Sequence, residues 1–153
     1  MKKLTLFVLL FLLPVFGCSP DSSYTTEKEI IHTENAPGAV GVYSQAVRAG
    51  NTLYLAGQIG LIPGSGDLAG DDTESQTRQT LDNIQAVLEA AGYQLTDVVQ
   101  AQVYLDDLDD YGLFNEIYVE YFPENPPARA VVEASRIPLD AKVEIMVTAV
   151  KKD

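Results

Sequence analysis

One cysteine, one histidine and no tryptophan occur in the 153 residues, and basic side chains are scarce: 10 Lys and Arg stand against 22 Asp and Glu, a formal net charge of −12. Each shortage closes a class of chemistry. A lone Cys18 makes an intramolecular disulfide impossible, and Cys18 with His32 falls short of the ligands a structural zinc site needs. A Ser-His or Cys-His nucleophile would have to use His32, which sits in a polar stretch near the start of the domain. The acidic balance repels phosphate backbones, and no cluster of Lys or Arg outside the two chain ends offsets it. A nucleic-acid partner is therefore not expected. The chemistry has to come from carboxylates, arginine, tyrosine and backbone groups.

Long hydrophobic runs are also few. The run Leu4–Leu13, broken only by Thr5, is shorter than the roughly 20 apolar residues that span a bilayer as a helix. Behind the basic start Met1-Lys2-Lys3 it fits a signal peptide over residues 1–17. Val15-Phe16-Gly17-Cys18 resembles the bacterial lipobox, which implies cleavage before Cys18 and lipidation of its sulfur; Phe16 is larger than usual at its position. The other reading is an uncleaved anchor followed by a buried free cysteine. The expectation is an exported protein, anchored to the cell envelope and touching the membrane through the Cys18 lipid alone. Residues 18–31 are mostly polar and without apolar periodicity, and read as a tether.

Residues 32–152 carry the punctuation of one α+β domain. Hydrophobic residues at 46% and charged residues at 21% suit a chain with a real core, and the length allows one domain rather than two. Tyr43–Ala49 and Thr52–Gly57 are β-like runs about a Gly50-Asn51 turn. Thr73-Glu74-Ser75-Gln76 fits a capping box, with Thr73 as the cap. It opens a helix with Leu81, Ile84, Leu88 and Ala91 on one face, closed by Gly92. Asp97–Leu105 alternates as a strand, with Val99, Ala101, Val103 and Leu105 on one side. A second helix begins at Asp109-Asp110, spaces Tyr111, Phe114, Ile117, Tyr118 and Tyr121 helically, and is stopped by Pro123, Pro126 and Pro127. Ala130–Ala134 and Lys142–Val150 read as the last strands.

Two helices can cover only one face of a sheet of about five strands. The alternation puts Tyr54, Val131, Met146 and Thr148 on the other face, which is too apolar to be left in water. Burial between subunits is the expected remedy.

Read in order, the domain resembles the reactive-intermediate deaminase (YjgF-like) family. The matching segments are Asn35-Ala36-Pro37, Gly41–Val47, Ala56-Gly57-Gln58-Ile59, Asp82-Asn83-Ile84, Leu88–Gly92, Asn115–Tyr118, Pro127-Ala128-Arg129-Ala130 and Lys142–Ile145. The resemblance implies a chorismate-mutase-like α+β fold, a mixed sheet with two helices on one face, assembled as a homotrimer with active sites in clefts between subunits. It also implies hydrolysis of short-lived enamines and imines, such as 2-aminoacrylate, to 2-oxo acids and ammonia, without metal or organic cofactor.

The resemblance assigns roles. Arg129 would hold the substrate carboxylate, since a guanidinium matches that group bidentately and lysine does not; alone, an arginine there would read as a surface or subunit-bridging ion pair. Glu144 would position the attacking water and assist proton transfer. Alternation sets it opposite Val143, Ile145 and Val147, where desolvation would raise its pKa. The competing role for Glu144 is an interfacial salt bridge with Arg129 or Arg136. Tyr43 would line the cleft or simply pack, Gly57 would let backbone approach the ligand or mark a bulge, and Asn115 would lie near the site or cap a turn. Val131 stands where relatives often have a cleft cysteine, Ala56 where serine is frequent and Val42 where proline is common. Two other functions compete: a non-catalytic module binding a small carboxylate on the same trimeric fold, and a ribonuclease, which the charge and the missing histidine pair disfavour.

Overall fold

Backbone pairing starts before the expected domain boundary. Lys28–Ile31, assigned by sequence to the tether, form β1 and pair antiparallel with β2 (Ala46–Ala49). Only Ile31 of β1 is buried, and Arg48 of β2 pairs with Glu29, so this edge strand is held mainly by backbone bonds that composition does not reveal. The protein is described from a computed structural model over residues 27–152; the proposed signal segment, Cys18 and the tether as far as residue 26 lie outside the described residues.

After β2 come β3 (Thr52–Leu55), β4 (Gln58–Ile59), α1 (Thr73–Ala90), β5 (Val98–Leu105), α2 (Tyr111–Tyr121), β6 (Ala128–Glu133) and β7 (Val143–Val150). The strands form one mixed sheet in the order β1-β2-β3-β7-β5-β6, and β4 continues the pairing of β3 along β7. Only β5 and β6 run parallel, because α2 carries the chain over the sheet between them. The expected Gly50-Asn51 turn joins β2 to β3, with Gly50 at φ 62°.

One face of the sheet is the core. Ala101, Val103 and Leu105 of β5 pair with Val147, Ile145 and Val143 of β7, and all six are buried beneath the helices. Leu81, Ile84, Val87 and Leu88 of α1 are fully buried against them, each burial contributing about 1.5–3 kcal/mol. Gly92 at φ 78° ends α1, and the Tyr93 N–H reaches back to the Leu88 carbonyl at 2.8 Å.

Local expectations give way at several points. Asp72, not Thr73, caps α1: its Oδ1 accepts from the Ser75 N–H at 2.8 Å. A carboxylate at a helix N-terminus also gains from the dipole, which a hydroxyl does not. Thr73 instead donates to Asp110, and Gln76 bridges the Gly70 carbonyl and the Lys142 N–H. The carboxylates of Asp107–Asp110 belong to a short turn preceding α2, which starts only at Tyr111. Val99 is exposed, because a register shift between Val98 and Gln100 puts Val98 in the core instead. The fold remains α+β, with two helices on one face, as the resemblance implied.

Candidate active site in two halves

The open face of the sheet carries Glu144, Met146 and Thr148 of β7, registered against Tyr104, Gln102 and Gln100 of β5. Tyr54 and Ile30 lie on the same face, and both are more than half exposed. Val131 does not join them. It pairs with Val103, so Arg129, Val131 and Glu133 stand on the helix side of β6, while Ala130 and Val132 take the open side. Apolar residues on both sides of β6 hide the phase of its alternation in the sequence.

Arg129 emerges from β6 directly after Pro126-Pro127 and lies against α2. Residues 111, 115 and 118 share one side of that helix. The guanidinium sits 4.5 Å from the Tyr118 ring centroid, 5.4 Å from Phe114 and 5.8 Å from Tyr111. Its Nη2 donates to Asn115 Oδ1 at 2.6 Å and to Tyr111 Oη at 3.2 Å. A cavity of about 740 Å³ opens here, lined by Tyr111, Asn115, Tyr118, Arg129 and Val131 among others. Burial pushes the Tyr118 phenol up to about 12.

Glu144 occupies a second, smaller cavity of about 310 Å³, with Val40, Tyr43, Gly57, Pro138 and Leu139 on its walls. Gly57 belongs to the link between β3 and β4, outside the expected strand, and it is needed there for space: a Cβ on it would overlap the Glu144 carboxylate. Tyr43 also lies outside the expected strand, in the loop before β2, where its hydroxyl accepts from the Val40 N–H at 3.3 Å. Buried Gln45 anchors the adjoining loop, accepting from the Thr33 N–H and donating to the carbonyls of Thr33 and Pro37. Across the cavity Leu139 and Asp140 hold left-handed φ of 60° and 55°, a conformation side chains rarely adopt.

The Glu144 carboxylate is half-buried, and among the described residues it makes no ion pair or hydrogen bond; desolvation raises its pKa. Arg136 pairs with Asp140, and Arg129 is on the other side of the sheet, so within one chain neither arginine pairs with Glu144. The structure thus brings Arg129, Asn115 and Val131 together, and separately Tyr43, Gly57 and Glu144. It does not bring the two groups together. Sequence reasoning counted Tyr111 and Tyr118 only as helix packing and passed over Leu139; the four-residue step from Tyr111 to Asn115 was the available signal. Among the described residues no cluster of His, Cys, Asp and Glu is arranged to hold a metal, and no helix is long and apolar enough to cross a membrane.

With this geometry in view, the comparisons with known proteins are specific. The family model described as Endoribonuclease L-PSP matches residues 33–151. A RutC family protein of Pyrococcus horikoshii is 53% identical over 125 residues, covering 82% of this chain and 99% of its own. The human 2-iminobutanoate/2-iminopropanoate deaminase is 41% identical over 124 residues, covering 81% and 90%. A crystal structure of Escherichia coli TdcF with bound serine superposes with a TM-score of 0.78 at 36% identity, over 81% of this chain and 99% of that one.

Proposed function

The chain belongs to the Endoribonuclease L-PSP family, and on that premise we propose that it hydrolyses enamines and imines derived from amino acids to 2-oxo acids and ammonia. Relatives named as imine deaminases, at about 41% identity, support the reaction class. The observation that carries it to this chain is the Glu144 carboxylate, desolvated, unpaired among the described residues, and pressed against a glycine that keeps it accessible.

In this reading two copies complete each site, one giving Arg129, Asn115 and Val131 and the other Tyr43, Gly57 and Glu144. The exposed apolar side chains of the open face, Ile30, Tyr54 and Val132, support self-association, and a homotrimer accommodates one such cleft at each subunit contact. Arg129 holds the substrate carboxylate. Glu144 takes a proton from water as the oxygen attacks the imine carbon, giving a carbinolamine. Returned to nitrogen, that proton completes the carbinolamine; Glu144 then carries the carbinolamine O–H proton to the amine, and the C–N bond breaks as the C=O bond forms, releasing ammonia and the 2-oxo acid. A raised pKa suits Glu144 to both transfers near neutrality. The serine in the related TdcF supports a cleft sized for small amino-acid-like molecules.

A ribonuclease reading gains nothing from the site, because the single histidine, His32, is exposed and paired with Glu34. Export on a lipid attached to Cys18 belongs to the proposal, on the strength of the first eighteen residues; the intact mass of membrane-extracted protein tests it.

The test of function is release of 2-oxo acid from imines generated by an amino-acid oxidase. Glu144→Ala is expected to lower kcat by about 10²–10⁴. Arg129→Ala should raise KM by roughly tenfold or more, losing a charge-assisted bond. Wild-type rates no better than either variant, with 2-oxo acid still bound, favour the small-carboxylate binding module.

A further inference from the structure

Arg129 is already committed before any substrate arrives. One guanidinium offers five N–H donors, and both on Nη2 are in use, one to Asn115 Oδ1 at 2.6 Å and one to Tyr111 Oη at 3.2 Å. Both bidentate approaches to a guanidinium, end-on through Nη1 and Nη2 or side-on through Nε and Nη2, require Nη2. A carboxylate cannot be gripped by the fork until one of these bonds is exchanged. The shorter bond, to half-buried Asn115, is the stronger; the longer one, to half-exposed Tyr111, is the one that yields.

We propose that Tyr111 is a substrate-binding residue. Its hydroxyl holds the Arg129 fork in the free enzyme, and on binding it turns from accepting to donating, so that the substrate carboxylate receives a third hydrogen bond. The Tyr111 phenol lies in the Arg129 cavity, and among the described residues its hydroxyl accepts from Arg129 and makes no hydrogen bond as a donor. Polar contact with Asn115 and then with Arg129 lowers its pKa in the free enzyme. The ring also flanks the guanidinium at 5.8 Å, so Phe at this position keeps the stacking and removes only the hydroxyl.

This inference rests on the reading of Arg129 as the carboxylate anchor. The experiment compares wild type and Tyr111→Phe in the imine-hydrolysis assay and with two competitive inhibitors, 2-oxobutanoate and 2-oxobutanamide. Tyr111→Phe is expected to raise KM and the 2-oxobutanoate inhibition constant by about 3–10-fold, the effect of one hydrogen bond to a charged group partly offset by a freed Nη2. kcat should stay within about twofold, and the amide constant should not move. An active wild type whose Tyr111→Phe variant matches it for 2-oxobutanoate, or loses both inhibitors alike, overturns the role of Tyr111 alone. A wild type that neither hydrolyses imines nor binds 2-oxobutanoate overturns the functional reading as well.

Discussion

Arg129 and Glu144 stand on opposite faces of one sheet, two strands apart: Arg129 registers with buried Ala101, Glu144 with Tyr104 on the open side. No side-chain rotation within one chain joins them. If both act on one molecule, the sheet acts as a partition and the working site lies between copies.

Gly57 is the point at which the Glu144 cavity tolerates least. Gly57→Ala should displace the carboxylate and lower kcat/KM by at least about tenfold, since small misplacement of a catalytic group is costly. Melting temperature should also fall, by a few degrees. Adding Glu144→Ala removes the clash, so the double variant should recover the lost stability but not the activity. A double variant as unstable as the sum of the singles contradicts the contact.

Glu144 should make the protein less stable where it makes it active. Its folded pKa lies above the ordinary carboxylate value, so its favourable contribution is full below the unfolded value, near 4.5, and is lost as pH rises through the folded one. Glu144→Gln is therefore expected to melt higher than wild type at pH 7.5, on the order of a few degrees, and to converge with it near pH 4. Scanning calorimetry across that range reads the difference. A constant offset at all pH values contradicts desolvation as its origin.

Gln45 binds the loop that walls the Glu144 cavity through four hydrogen bonds to residues 33–37, one of them longer at 3.4 Å. Gln45→Ala leaves buried backbone groups unpaired and should cost about 2–4 kcal/mol in urea unfolding. A loss below about 1 kcal/mol means that water replaces the amide without penalty.

Charge on the open face tests assembly. Tyr54→Asp with Val132→Asp should convert the assembled protein to monomers in analytical ultracentrifugation and abolish imine hydrolysis together, because both residues lie on the face expected to be covered. Monomers that keep full activity contradict a shared site.

Much of this was legible in the residues, and the exceptions have physical causes. The long amphipathic α1 and its Gly92 stop are stated by a 3.6-residue repeat and a positive φ, both local. Gly57, Arg129 and Glu144 came through the family resemblance, and a Cβ clash later supplied the reason for the glycine. The N-cap shifted by one residue because Asp72 and Thr73 compete for the same donors and the carboxylate wins. Val99 was misplaced because a bulge shifts the phase of alternation without altering composition. Val131 was misplaced because β6 is apolar on both sides, and only its pairing with Val103 decides which side is the core. The role of Tyr111 needed coordinates: helical spacing puts it beside Asn115, but only the shared guanidinium sets it apart from ordinary packing.

Subunit mixing tests the shared cleft most directly. Arg129→Ala and Glu144→Ala proteins, each impaired alone when substrate is kept well below the wild-type KM, are unfolded together and refolded as a mixture. Random assembly gives about a quarter of the clefts both intact halves, so imine hydrolysis should return to roughly that fraction of the wild-type rate. A mixture that assembles normally and stays as inactive as its components contradicts the account.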